Sequence, residues 1–188
     1  MVEDRQTGTE QLAIWTIGHS TRPIVTFKGI LFAHKITKLV DVRRLPKSRR
    51  FPHFNRERLV EELSAVAIEY IHLPELGGLR QPKSDSRNTA LNNTSFRAYA
   101  DYMETPDFEN GVARLIQFAS AGRTAIMCAE ALWWRCHRRL ISDYLKSKGF
   151  LVRHIIDEAH EQPHSYTDAA RIVEGRLSYE GLFADRRS

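Results

Sequence analysis

The strongest constraint in this chain is a rhythm of apolar runs that each stop at a polar cluster. Leu12–Ile17 ends at Gly18-His19-Ser20, and Lys38–Val42 runs into Asp41-Val42-Arg43-Arg44. Glu69–Leu73 ends at Pro74-Glu75-Leu76-Gly77-Gly78, and Thr124–Cys128 runs into Cys128-Ala129-Glu130. Leu151–Ile156 is a further run of the same kind. Their length suits buried strands, and the segments between them carry helical spacing. Phe27–His34 presents Phe27, Ile30 and Leu31, with Thr26 as its expected cap. Arg56–Ala67 presents Leu59, Leu63 and Val66 after a candidate N-cap, Asn55. Ser95–Met103 and Asp107–Ala119 follow, the second with Thr105 as cap and Pro106 at its first helical position. Arg135–Lys148 reads as the last amphipathic helix.

Strands alternating with helices imply an α/β fold of Rossmann-like type. We expect a single domain whose mainly parallel sheet of about five strands is flanked by helices. Residues 12–160 form that domain in this reading. Residues 1–11 are an expected disordered N-terminus, and 161–188 a tail with one short helix near Asp168–Glu174. Gln81–Thr94 is a polar loop of the length used for lids, binding loops or disordered segments.

In a parallel sheet the polar clusters share one edge, where α/β proteins bind ligands. Polar strand ends also occur simply because they meet water, so the joint occurrence of several clusters carries the argument. The 188-residue chain has a formal charge of +5 and a pI near 9.4, which favours an anionic partner such as a nucleic acid, a nucleotide or a phosphorylated metabolite. No stretch approaches the ~20 apolar residues of a membrane span, so no membrane partner is expected. The first ten residues are polar and lack a signal-peptide core, and two cysteines make no disulfide framework. A reducing, cytoplasmic setting follows as the expectation. Nothing in the sequence fixes an oligomeric state.

Asp41 and Arg43 point to one side of an extended strand. They form either a structural ion pair or a catalytic carboxylate beside an anion-gripping guanidinium. Glu130 is a candidate acid or base, and Glu75 or Asp41 could be its partner, since neighbouring carboxylates push their pKa values apart. Cys128 sits where a helix end and nearby Arg and His would activate a thiol, although a buried inert cysteine is the commoner case. The stretch up to Arg135 has no glycine, and Trp133 and Trp134 precede that arginine, which speaks against a thiol-phosphatase loop. Cys128, Cys136 and His137 could suggest zinc, but Cys136 and His137, as adjacent helical residues, would diverge by about 100°, so a metal is not favoured; no cofactor is expected. Arg135, His137, Arg138 and Arg139 open the last helix, where cations oppose its dipole unless an anion is bound or acidic neighbours compensate. Arg49, Arg50 and His53 lie among Phe51 and Phe54, a basic-aromatic pattern suited to a nucleic-acid backbone and its bases. Trp134 could stack on a ring, while one of the two tryptophans belongs to the core.

Together these motifs resemble the domain of unknown function 488 (DUF488) family. They are Thr16-Ile17-Gly18-His19-Ser20, Val40-Asp41-Val42-Arg43, Ser48 through Asn55, Leu73 through Gly78, and Cys128-Ala129-Glu130 through Cys136-His137-Arg138. The resemblance runs from about Ile14 to His154. It implies a compact α/β domain with a role in nucleic-acid or modified-base processing. The leading expectation is therefore a glycosylase-like hydrolase acting on nucleic acid or a nucleotide, at a base or its glycosidic bond. Asp41, Glu130, Cys128 and His19 are its candidate catalytic residues. Gly18, Ser20, Arg43, Arg49, Arg50, His53, Glu75, Trp134, Arg135, His137 and Arg138 are its candidate binding residues. A non-catalytic nucleic-acid-binding module, or a hydrolase or transferase of a small metabolite, are the alternatives.

Overall fold

A computed structural model describes residues 11–181 of the chain. Its strands are β1 (Ala13–Gly18), β2 (Lys38–Asp41), β3 (Glu69–His72), β4 (Thr124–Cys128), β5 (Leu151–Ile155), β6 (Glu161–Pro163), β7 (Arg171–Val173) and β8 (Arg176–Ser178). Its α-helices are α1 (Ile24–Ala33), α2 (Arg56–Ser64), α3 (Thr94–Met103), α4 (Pro106–Ser120) and α5 (Arg138–Ser147). Six strands form one sheet in the order β3-β2-β4-β1-β5-β6. The first five are mutually parallel, and β6 runs antiparallel to β5.

Alternation along the strands divides the core between the two faces of the sheet. Trp15, Ile17, Leu39, Ala125 and Met127 pack with Phe27, Ile30 and Leu31 of α1 and Leu59 and Leu63 of α2. Ile14, Val40, Ile126 and Cys128 pack with α3, α4 and α5 through Tyr99, Phe108, Leu115, Leu140 and Ile141. The chain leaves β1 and β2 toward the first face, but leaves β4, which lies between them, toward the second. The loops therefore part above β4. This is the switch point at which open α/β sheets leave a crevice.

Local chemistry explains most element boundaries and several departures from expectation. Thr105 caps α4 by accepting from the Phe108 N–H, and Pro106 opens the helix, as the sequence predicts. Asn93 caps α3 by accepting from the N–H groups of Ser95 and Phe96. Thr26, in contrast, lies inside α1, which begins at Ile24 behind Pro23. Asn55 precedes α2 without capping it, because its side-chain oxygen accepts the Ser48 N–H at 2.6 Å and closes the basic loop. The last helix starts only at Arg138, after a separate 3-10 turn over Trp133–Arg135.

The expected short helix near Asp168–Glu174 is instead the β7–β8 hairpin. Glu174 and Gly175 both have positive φ, 49° and 76°, the conformation of a tight two-residue hairpin turn. The boundary expected at residue 160 also falls beside an element of the sheet, since β6 adds to its edge. The expected disordered N-terminus lies almost wholly outside the described residues. Among the described residues, no helix is long and apolar enough to cross a membrane.

Candidate functional site

The ends of the parallel strands enclose a cleft of about 730 Å3. His19, Ser20, Arg43, Arg44, Gly78, Cys128 and Glu130 line it, so all four polar clusters contribute. Cys136 and His137 complete its floor, while Phe51, Phe96, Tyr99 and Leu132 supply apolar wall. Arg44, Lys47 and Arg135 are exposed at its rim, and Glu130 is the one carboxylate among the lining residues.

Two loops are zipped together beyond the sheet. The His19 and Ser20 N–H groups donate to the carbonyls of Cys128 and Ala129 at 3.0 and 2.9 Å, prolonging the β1–β4 ladder. Gly18 permits this approach, because a Cβ there would lie 1.8 Å from the Glu130 carbonyl oxygen. Gly18 thus acts through packing, and Ser20 turns the chain away with φ of 50°.

Asp41 lies behind the cleft, fully buried. Arg43 Nε donates to its Oδ1 at 2.9 Å and an Arg43 terminal nitrogen to its Oδ2 at 2.6 Å. The Tyr70 hydroxyl adds a bond to Oδ2 at 2.7 Å. Both carboxylate oxygens are therefore engaged, and Asp41 is placed to hold Arg43 rather than to meet a ligand. Burial opposes the charge on Arg43, but bonding to Asp41 outweighs it and raises the guanidinium pKa. The other terminal nitrogen of Arg43 meets His19 Nε2 at 3.2 Å. His19 Nδ1 lies 2.9 Å from the Ser20 carbonyl, so the network assigns a proton to Nδ1 and leaves Nε2 as acceptor. Burial first, and Arg43 second, lower the His19 pKa to about 4. The ring is neutral at pH 7, stacked on Phe54, with both nitrogens engaged.

Arg138 also lies behind the cleft, 1% exposed. It donates to the Glu130 carbonyl at 2.6 Å and to the Thr16 hydroxyl at 3.3 Å, fixing the loop that carries Glu130. Its Nε has no hydrogen-bond partner among the described residues. Cys128 and Cys136 are both free thiols, and their sulfurs are 2.7 Å apart. Cys136 has extended backbone, φ −125° and ψ 155°, so it precedes α5 rather than belonging to it. The helical geometry assumed for Cys136 and His137 from the sequence therefore does not hold. His137 Nδ1 lies 3.4 Å from the Cys136 sulfur, and its Nε2 donates to the Val42 carbonyl at 3.2 Å.

Other candidates lie away from the cleft. Arg49 and Arg50 are exposed on the neighbouring loop, where Arg50 lies over Phe51, 5.4 Å from its ring centre. His53 is half-buried and bonded to the Arg22 carbonyl. Glu75 is ion-paired with Arg114, outside the lining residues. Trp134 is 45% exposed, while Trp133 stacks on His154 with ring centres 4.1 Å apart. Sequence reasoning missed Cys136 as a site residue, although its closeness to His137 and Arg138 in the chain was a usable signal. It also missed the buried chain from Asp143 through His164 and His154 to Thr16, because two of its members come from the tail and β5. Among the described residues, no group of three or more His, Cys, Asp or Glu side chains could hold a metal ion.

No curated protein and no solved structure matches the chain. The sequence profile of the family described as "Domain of unknown function DUF488" matches residues 24–145, well over half of the chain. That span contains Asp41, Arg43, Glu130 and the Cys136-His137-Arg138 triplet, but not β1 with Gly18 and His19. The chain belongs to the DUF488 family.

Proposed function

We propose that the cleft binds one nucleotide unit of a nucleic acid and that the protein is a hydrolase acting on its base or glycosidic bond. The carrying observation is the composition of the cleft. One carboxylate, Glu130, faces a rim of three cations, Arg44, Lys47 and Arg135, between apolar walls that include Phe51 and Phe96. Cations at a rim hold phosphates, and aromatic walls accept a flat base. Glu130 is the group free to act as acid or base, or to stabilise positive charge as a glycosidic bond breaks. Asp41, held by Arg43 and Tyr70, keeps a supporting role.

A polymer is favoured over a free nucleotide because the exposed basic loop continues past the cleft through Arg49 and Arg50, next to Phe51. Two cysteines, too few for a disulfide framework, fit a cytoplasmic setting. Binding of fluorescent single- and double-stranded oligonucleotides across a salt series, with product analysis of the same samples, tests the reading. Binding should weaken steeply with salt, and Glu130→Gln should abolish product while folding and binding persist. Full turnover by that variant would end the role of Glu130, and salt-insensitive binding would remove nucleic acid as the partner.

A further inference from the structure

A buried charge needs a counter-charge, and among the described residues Arg138 has no carboxylate partner. Its guanidinium is 1% exposed, and its hydrogen-bond partners among the described residues are carbonyls and a hydroxyl. An uncompensated cation in such a place is unfavourable by several kcal/mol. The groups able to become anionic beside it are the thiols of Cys128 and Cys136. The Cys136 sulfur accepts from the Arg138 backbone N–H at 3.5 Å, and Cys128 Sγ lies 2.7 Å and His137 Nδ1 3.4 Å from it. His137 Nε2 is spent on the Val42 carbonyl, which leaves Nδ1 to take the thiol proton.

We infer that Cys136 and Cys128 form a redox-active dithiol at the floor of the cleft, with Cys136 as the nucleophile toward a hydroperoxide and Cys128 as the resolving thiol. The inference stands whether or not a nucleotide occupies the cleft. Burial pushes the Cys136 thiol up, but the hydrogen bond from Cys128 and the charges of His137 and Arg138 outweigh it and hold the thiol well below its ordinary value. Burial first, and the bond to Cys136 second, push Cys128 up, so the proton of the pair stays on Cys128.

The Cys136 thiolate attacks the terminal peroxide oxygen, and the O–O bond breaks. The departing alkoxide takes the proton held on His137 and leaves as an alcohol, or as water from hydrogen peroxide. Sulfur is oxidised to a sulfenic acid as the peroxide is reduced. The Cys128 sulfur then displaces the hydroxyl, which leaves as water with the Cys128 proton, and an S–S bond closes. The two sulfurs need approach by only about 0.7 Å to reach bonding distance. A small thiol or dithiol reductant restores the pair by thiol–disulfide exchange.

The test uses the full reduced chain, titrated with hydrogen peroxide and with an organic hydroperoxide. One equivalent should consume both thiols, and peptide mapping should find a Cys128–Cys136 disulfide. Cys128→Ser should instead accumulate a Cys136 sulfenic acid that dimedone captures. Wild-type Cys136 should react with iodoacetamide at pH 7 about tenfold or more faster than free cysteine, which is only a few per cent thiolate there. That comparison needs no variant to fold. Reaction no faster than free cysteine, or consumption of peroxide by Cys136→Ser at the wild-type rate, would overturn the inference.

Discussion

Two buried arginines flank the cleft, and they are balanced in opposite ways. Arg43, 8% exposed, has a carboxylate of its own in Asp41, and Tyr70 and the Phe54 carbonyl complete its surroundings. Arg138, 1% exposed, bonds to carbonyls and a hydroxyl and lies against two thiols. The first arrangement is closed, and its charges have no partner left to seek. The second is balanced only while a sulfur is ionised, so its charge state can change. Chemistry belongs where the balance is conditional.

The sharpest way to break this comparison is Asp41→Asn. It strands the Arg43 guanidinium, and the loss of one member of a buried pair costs about 3–5 kcal/mol. Urea unfolding should show the loss. A change under about 1 kcal/mol would mean that Arg43 is not charge-balanced by Asp41.

Acid probes the same pair from the other side. The His19 pKa is about 4 when folded, against 6.5 ordinarily. Above pH 6.5 the ring is neutral in both states and contributes nothing to the pH dependence. Below that, the unfolded chain takes up a proton that the folded site refuses, so stability falls as pH drops through this window and levels off near the folded pKa. The loss from His19 is at most about 3 kcal/mol. His154, lowered to about 2 by burial and then by His164 and Arg138, adds to the same trend. His19→Gln should therefore lose less stability between pH 7 and pH 4.5 than the wild type, as read from urea midpoints. Equal losses would remove His19 from the electrostatic balance around Arg43.

Arg138→Met should cost least, about 1–3 kcal/mol for the lost hydrogen bonds, because the thiolate can reprotonate once the cation is gone. The pH midpoint of Cys136 alkylation should rise by about one unit. A penalty as large as that of Asp41→Asn, with no shift in midpoint, would make the two arginines equivalent.

The sheet was legible because the apolar runs and their polar ends obey local rules. Thr124–Cys128 is a strand with the bounds that its composition implies, and Thr105-Pro106 starts α4 where its chemistry says it should. The convergence of the four clusters followed from parallel topology alone. Failures came where a side chain had a second option. Asn55 gave its oxygen to Ser48 instead of to its helix, and Cys136 stepped out of helical geometry to meet Cys128. Neither choice is visible in spacing, since each depends on a partner brought near by the fold. The tail was misread because the Glu174-Gly175 turn outweighs a weak helical pattern there.

The place of β1 has a consequence for how the chain is born. Its two sheet neighbours are β4 and β5, with Trp15 aligned to Ala125 and to Arg153. β1 thus stays unpaired until β4, more than a hundred residues further along the chain, has been made. The β2–β3 pair, linked by α2, meets its partner far sooner. Synthesis therefore yields β1 and the β2–β3 pair as separate pieces until β4 fills the gap between β1 and β2, after which β5 and β6 extend the edge. Such late, long-range closure is slow, and exposed apolar strands invite association while it lasts.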